Sequence, residues 1–295
     1  MFKHFVITRF NLVYNIGVFK KDKNGHETQT NAWLEARFDL FERFCFPSVI
    51  NQTNIDFYWV VLFSANTPEK YKKKIAGYSN TFKKFIPLYL DDGADSEWGS
   101  YLDNVKTEIS KQLDNSDLYI ITSRIDNDDA FHKNMIQCVQ DEFAAQDDLF
   151  LSYNTGLQYD MEHNLLARIT FPRNAFISRI EKIKGGNFST VFATTHLKAH
   201  KVAKVKYIST YPLWLQLIHP GNIYNSFRTK DILILSKSVS NFNIKDPIKM
   251  SFSNYLNAIN RKLKSKFLII TKMLSTRIKN SYLLIFPLLS PALHF

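Results

Sequence analysis

The amino-acid sequence predicts an α/β domain with a mostly parallel sheet flanked by helices over residues 1–245, followed by a basic helical C-terminal segment over residues 246–295. Three observations support this fold class. Strand-like and helix-like segments alternate through the first 150 residues, which is the usual order in parallel sheets. The apolar run 57–64 is continuous, as is typical of a strand buried on both faces. Polar residues follow each predicted strand, where ligands bind in such sheets.

Four strands are predicted in the first half of the chain. The segment 2–10 is rich in aromatic and β-branched residues and is followed by polar Asn11, and the run 57–64 is the second strand. The segments 85–92 and 117–129 are the third and fourth strands, and each ends in carboxylates. We therefore expect these polar residues to meet at one edge of the sheet.

Three helices are predicted between these strands. Apolar residues recur at near-helical spacing over 33–49, and Pro47 is expected to end that helix. A second helix opens with Thr67 as its N-cap and Pro68 in its first turn. A third is expected near 98–113.

The composition excludes several classes of protein. With 45% hydrophobic and 15% aromatic residues, the chain is not intrinsically disordered. Its two cysteines, Cys45 and Cys138, are too few for a disulfide framework or a four-cysteine zinc site, and both are expected to be buried helix residues. The start of the chain lacks the apolar core of a signal peptide, and the run 282–293 is shorter than the roughly 20 residues that span a bilayer. A cytoplasmic protein is therefore expected.

The positive charge is concentrated in the C-terminal third. Residues 1–200 contain 23 Lys/Arg and 25 Asp/Glu, whereas residues 201–295 contain 15 Lys/Arg and two acidic residues. In the C-terminal segment, apolar residues recur at helical spacing among the basic ones: Ile259, Leu263, Phe267, Ile270, Leu274 and Ile278. Such a helix suits the anionic inner face of a membrane. The alternatives are a helix docked on the domain and a non-catalytic binder of anionic lipid or nucleic acid.

Three aspartates follow the fourth strand. Asp126, Asp128 and Asp129 lie so close together that their charges repel unless a cation neutralises them, and a divalent ion such as Mg²⁺ or Mn²⁺ commonly shares such carboxylates with substrate phosphates. The alternative is a solvated turn that caps a helix. An EF-hand is excluded because Phe131 and Gln137 stand where its Gly and Glu would be. The sequence also contains no Gly-rich phosphate-binding loop.

Five blocks resemble a bacterial enzyme family. An Asp-x-Asp after a buried strand in a parallel α/β domain is the pattern of GT-A glycosyltransferases. Five blocks carry a more specific resemblance: ITRFNL (7–12), LFERFCFPSVINQTNIDFYWVVLFS (40–64), SRIDNDDAF (123–131), FPRNAFISRIE (171–181) and PLWLQLIHPGNIYNSF (212–227). Over about residues 2–230, the chain resembles the family of "putative rhamnosyl transferases". One departure is Pro220, where Gly is expected.

The resemblance implies that a sugar, rhamnose by the family description, is transferred from a nucleotide-sugar donor to a surface glycan or lipid-linked glycan. By analogy, Asp126 would reach the donor ribose or a water on the metal. Asp128 would bind the Mn²⁺ or Mg²⁺ that bridges the donor phosphates, and Asp129 would share either role. The metal would stabilise the nucleoside diphosphate as it leaves.

Three further residues are candidates for donor binding. Arg9 and Arg124 end predicted strands, where a guanidinium can bind a diphosphate, and the alternative for each is an ordinary salt bridge. His219 lies in a segment rich in turn-forming residues and is a candidate metal ligand, the alternative being a surface or helix-capping histidine.

The catalytic residue is not identified by the sequence. An inverting transfer needs a general base, and Glu181, Asp160 and Glu162 are candidates by region only. A metal-dependent nucleotidyl or phosphoryl transferase is the competing enzyme class. Its product from the donor would be a sugar phosphate rather than a free sugar.

Overall fold

The computed structural model describes residues 1–13, 20–92, 100–228, 232–233, 236–246, 248, 252–260, 263–264 and 271. The chain divides into two compact units, Met1–Lys249 and Met250–Phe295. In the second unit, the described residues 252–260, 263–264 and 271 are helical. Most of the apolar stripe predicted for the C-terminal segment lies outside the described residues. The described helices include none long and apolar enough to cross a membrane.

The first unit alternates strands and helices, as the sequence predicts. The strands are β1 Phe2–Arg9, β2 Tyr58–Ser64, β3 Phe85–Leu90, β4 Tyr119–Arg124, β5 Ala130–Phe131, β6 Asp148–Tyr153, β7 Thr155–Asp160, β8 Leu165–Thr170, β9 Ile177–Lys182, β10 Lys204–Ile208, β11 Trp214–Ile218 and β12 Ile232–Leu233. The α-helices are α1 Asn31–Leu40, α2 Phe46–Ile50, α3 Glu69–Thr81, α4 Ser100–Ser110 and α5 Met135–Asp141.

The larger sheet has the strand order β10-β6-β9-β4-β1-β2-β3. Strands β3, β2, β1 and β4 run parallel to one another, and β10 is parallel to β6. Strand β9 is antiparallel to both of its neighbours, β4 and β6. The sheet is therefore mostly parallel and flanked by helices, which confirms the predicted α/β fold class.

A smaller sheet continues from the larger one at the acidic segment. Its order is β12-β8-β7-β11-β5. The short strand β5 begins directly after Asp129 and pairs with β11 in antiparallel fashion. Residues 125–129 therefore connect the end of β4 in one sheet to β5 in the other, and the carboxylates lie beyond the end of β4 rather than within a strand.

Strand β2 is buried on both faces, as its continuous apolar run predicts. In β2, Trp59, Val61 and Phe63 pack in the core that includes residues of α1–α3. Val60 and Leu62 pack on the opposite face, in the core that contains residues of α4. Because side chains alternate along a strand, one continuous apolar run supplies both cores.

The prediction that Pro47 ends the helix over 33–49 is wrong. Helix α1 passes into a π-helical turn, Phe41–Cys45, and then into α2, so Pro47 lies in the first turn of α2 instead of ending the run. The Phe46 N–H bonds to the Phe41 carbonyl, five residues back, and this extra residue starts a new helical register. Pro is tolerated in a first turn because its missing N–H is not needed there.

The two cysteines differ in burial. Cys45 is completely buried in the core next to α1, as predicted, whereas Cys138 is only half-buried. The Cys138 Sγ lies 3.8 Å from the Tyr211 hydroxyl. Both thiols are free.

Two glycines provide a matched stability test. A Cβ at Gly156 would lie 2.2 Å from the Trp214 indole, which is buried and stacked on Phe176. We expect Gly156→Ala to destabilise the fold by about 1–3 kcal/mol, because the indole has no room to shift. A Cβ at Gly77, inside α3, would meet no atom within 4 Å.

The control variant Gly77→Ala should therefore stabilise the protein, by about 0.5–1 kcal/mol, because alanine loses less conformational freedom in a helix. Urea unfolding with unchanged m values measures both effects. Equal changes in the free energy of unfolding of the two variants would contradict the tight packing of Gly156 against Trp214.

Candidate active site

A cavity of about 460 Å³ lies at the carboxyl ends of β1 and β4. The segments that line it include the end of β1, the segment after β4, helix α1, the segment after β8, residues 196–197 and the loop after β11. The charged and polar lining residues include Arg9, Arg37, Arg124, Asp126, Asn127, Asp128, His196 and Asn222. The site therefore lies at the edge of the sheet that the strand-end polar residues predicted.

Asp128 is the most highly connected carboxylate of this site. Its Oδ2 atom accepts a hydrogen bond from Arg37 Nη1 at 2.5 Å and lies 2.9 Å from His219 Nε2. Asn222 Nδ2 donates to the same oxygen at 3.3 Å. Burial alone would raise the pKa of Asp128, but the charge of Arg37 and the hydrogen bond from His219 outweigh it and hold the pKa well below its usual range.

Arg37 connects three parts of the site. It projects from α1 and is buried, with its guanidinium carbon 5.1 Å from the centre of the Trp33 ring. Besides bonding to Asp128, Nη1 lies 3.4 Å from Asn127 Oδ1, and Nη2 donates to the Gly221 carbonyl at 2.8 Å. One guanidinium thus joins α1, the segment after β4 and the loop after β11.

The loop after β11 is a closed turn. The Asn222 N–H bonds to the His219 carbonyl, and Asn222 Oδ1 accepts the His219 N–H at 2.7 Å. Pro220 occupies the second position of this turn, where its fixed φ angle is favourable. The turn is therefore compatible with the Pro that departs from the family pattern.

Asp126 is paired with a second arginine. Arg124 Nη2 lies 3.0 Å from both carboxylate oxygens of Asp126. The guanidinium carbons of Arg124 and Arg9 are 5.7 Å and 5.3 Å from the centre of the Phe192 ring. Arg9 and Arg124 are thus brought together, as the strand ends predicted.

His196 lies on the same wall of the cavity. Burial, together with the charge of Arg124, lowers the pKa of His196 to about 4. The imidazole is therefore neutral at pH 7. Three arginines face two aspartates among the described residues that line the cavity, so the cavity has a net positive charge and suits an anion.

Asp129 is directed away from the cavity. It is 1% exposed, and its Oδ1 atom accepts the Leu217 N–H of β11 at 2.9 Å. Burial and the nearby charges of Asp128 and Asp126 raise the pKa of Asp129 well above its usual range. Asp129 therefore supports the junction between the two sheets, and it does not line the cavity.

The sequence matches one protein family over most of its length. The matching family is described as "putative rhamnosyl transferase", and the match covers residues 3–230. The chain belongs to this family. The family description is that of a glycosyltransferase, the enzyme class implied by the sequence blocks. No curated protein matches the sequence.

Several solved structures are similar in fold to this protein. The Staphylococcus aureus TarS 1-349 structure in complex with UDP-GlcNAc is 12% identical, with a TM-score of 0.41, and the match covers 77% of this chain and 62% of that chain. A "putative nucleotide-diphospho-sugar transferase" from Desulfovibrio desulfuricans G20 is 8% identical, with a TM-score of 0.35, over 72% of this chain and 82% of that one. The match thus spans about three fifths of the length of TarS 1-349.

Two of the three candidate bases accept backbone hydrogen bonds elsewhere, and the third is exposed. Glu181 accepts the N–H groups of Ser189 and Thr190 at 3.0 Å and 2.8 Å. Asp160 accepts the N–H groups of Glu162 and His163 in the turn between β7 and β8, and Glu162 is exposed. None of the three candidates lines the cavity. The catalytic base therefore stays unassigned.

The predicted metal ligands do not converge on one point. The oxygens of Asp126 face Arg124, Asp128 Oδ2 faces Arg37, and Asp129 bonds to β11. In the described part of the chain, no group of three or more His, Cys, Asp or Glu side chains is placed to hold a metal ion. His219 contacts Asp128 but does not line the cavity. These residues do not fit a preformed divalent-metal site, and metal binding stays a prediction.

Arg37 was not among the candidates from the sequence. The signal that could have found it is a charged residue within the apolar run of α1, four residues after Trp33 and next to the core residue Phe38. A charge on the buried side of a helix requires a partner. Its partner, Asp128, lies 91 residues away, so that pairing could not be identified by spacing.

The buried pair predicts strong coupling between two substitutions. We expect Arg37→Met and Asp128→Asn each to destabilise the protein by about 3–5 kcal/mol, because each leaves one buried charge without its partner. The free energy of unfolding of the double variant should fall by much less than the sum of the two single losses. Urea unfolding of the four proteins measures this coupling.

Arg43→Met is the matched control. Arg43 forms half-exposed ion pairs with Asp39 and Asp246, and such pairs contribute about 1 kcal/mol or less. Additive effects of Arg37→Met and Asp128→Asn would contradict the assigned pair.

Proposed function

We propose that this protein transfers a sugar from a nucleotide-sugar donor to a surface glycan or lipid-linked glycan, and that the cavity at the ends of β1 and β4 binds the donor diphosphate. The observation that carries this proposal is the excess of arginine over carboxylate in the cavity wall. A diphosphate is a compact anion that matches the planar guanidinium group.

The arrangement of Arg9 and Arg124 supports this assignment. Both guanidinium groups lie near the Phe192 ring, and Arg124 is additionally held by Asp126. A guanidinium that is fixed before the donor binds loses little conformational freedom on binding. Charges fixed in this way are also available, without rearrangement, for the leaving group.

The proposed reaction breaks the bond between the anomeric carbon of the sugar and the diphosphate oxygen. The electron pair of that bond goes to the diphosphate, where the arginines stabilise the added charge. The acceptor hydroxyl oxygen forms the new bond to the anomeric carbon and releases its proton. The family description makes rhamnose the first sugar to test.

The metal-assisted form of this transfer is not part of the proposal. It requires a divalent ion between the aspartates and the diphosphate, and the aspartates of the site are paired with arginines or with the backbone instead.

Donor binding is tested by calorimetry with UDP, GDP and dTDP. We expect at least one of them to bind, and Arg124→Gln to weaken its binding by about tenfold or more, because a charge-assisted hydrogen bond is lost. The control Arg43→Gln should bind as the wild type does, since Arg43 lies outside the cavity. Absence of binding for all three nucleotides, or equal binding by Arg124→Gln, would contradict the proposal.

Product analysis separates the two enzyme classes. Incubation with the matching nucleotide sugar should release a free sugar when water replaces the acceptor. A sugar phosphate would instead indicate nucleotidyl or phosphoryl transfer and would overturn the proposed reaction.

We further propose that residues 246–295 bind an anionic membrane surface, which would bring the transferase to a lipid-linked acceptor on the inner face of the membrane. The support is the sequence pattern, with eight Lys/Arg and no acidic residue over 247–295. Each basic residue near an anionic surface contributes about 1 kcal/mol.

Vesicle co-sedimentation tests membrane binding. The full chain should sediment with vesicles that contain phosphatidylserine, and less so at high salt because the charges are screened. A chain that ends at residue 246 should sediment much less. Equal recovery of the two proteins would show that the segment is not a membrane anchor.

A further inference from the structure

We propose that Arg37 takes the place of a divalent cation at Asp128, so that the donor diphosphate binds without a metal ion. In this interpretation the two carboxylates of the Asp-x-Asp segment position arginines: Asp126 holds Arg124, and Asp128 holds Arg37. The inference rests on the proposed function, since it concerns the same cavity and the same donor group.

The first support is the position of Arg37 relative to Asp128. The distance from Arg37 Nη1 to Asp128 Oδ2 is 2.5 Å, and both side chains are 9% exposed. The same oxygen also contacts His219 and Asn222. A metal ion that replaced the guanidinium at this oxygen would have to break the Arg37 contact and move the positive charge of Arg37 away from its buried partner.

The second support is the way in which Arg37 is fixed. Its hydrogen bonds to the Gly221 carbonyl and to Asn127, and its contact with the Trp33 ring, do not involve Asp128. Because these contacts hold the Arg37 guanidinium independently of Asp128, the guanidinium stays beside the Asp128 carboxylate. A divalent ion next to it would be repelled by its charge.

The third support is that Arg37 itself lines the cavity, together with Arg9 and Arg124. A guanidinium has five N–H donors, and its bonds to Asp128, Asn127 and Gly221 account for three of them. One side chain can thus be held by the protein and still present N–H groups to a phosphate oxygen. Arg37 then supplies the positive charge that a metal would otherwise bring to the diphosphate.

The wild-type protein tests the inference without any substitution. We measure binding of the nucleoside diphosphate by calorimetry in EDTA and again in Mn²⁺. We expect the two dissociation constants to agree within about twofold. Binding that requires Mn²⁺ would overturn the inference and leave the proposed function standing. Absence of binding under both conditions would count against the proposed function instead.

Titration with Mn²⁺ alone decides the inference even when no nucleotide binds. Electron paramagnetic resonance of free Mn²⁺ should show no wild-type site with a dissociation constant below about 1 mM. A tighter wild-type site that Asp128→Asn removes would overturn the inference.

Substitution of Arg37 gives a gain-of-binding test. Arg37→Met should bind the nucleoside diphosphate at least tenfold more weakly in EDTA, and it should bind Mn²⁺ at least tenfold more tightly than the wild type, because Asp128 has lost its counter-charge. Arg37→Lys keeps the charge and should resist Mn²⁺ as the wild type does. The control Arg43→Met should change neither property.

Thermal melting shows which variants are folded under the assay conditions. If Arg37→Met does not fold, Arg37→Lys and the wild-type measurements decide the question. Unchanged metal-free nucleotide binding in a folded Arg37→Met variant would overturn the inference.

Discussion

The buried carboxylate of Asp128 is the constraint on which the rest of the site depends. An ionised carboxylate on a side chain that is 9% exposed must be matched by charge and hydrogen bonds. Its partners come from α1 through Arg37 and from the loop after β11 through His219 and Asn222. Segments that are far apart in the sequence are thereby brought to the end of β4, and the cavity forms where they meet.

The segment that joins the two sheets carries three aspartates, and their side chains lie in different surroundings. Parallel pairing of β1 with β4 brings Arg9 and Arg124 to the same edge. After β4 the chain crosses to β5 in the smaller sheet, and Asp129 bonds to Leu217 of β11. Neighbouring aspartates thus have different roles: Asp126 and Asp128 line the cavity with their arginines, whereas Asp129 joins the sheets.

Much of the fold could be predicted from the sequence, because strand burial leaves a local signal. The apolar runs at 2–10, 57–64 and 85–92 correspond to β1, β2 and β3. The polar residues after the predicted strands indicated which edge of the sheet carries the site. The partners of charged groups leave no such signal. Glu181 was a candidate base by region, but the backbone N–H groups of Ser189 and Thr190 use its carboxylate. Arg37 was missed because its partner is remote in sequence.

Anomalous diffraction tests the central claim most directly. Crystals grown with the bound nucleoside diphosphate and Mn²⁺, measured at the manganese absorption edge, would show any ion beside Asp128. The account predicts no anomalous peak there, with the Arg37 guanidinium in hydrogen-bond contact with Asp128 and a phosphate oxygen. A peak that bridges Asp128 and the diphosphate, with Arg37 displaced, would contradict it.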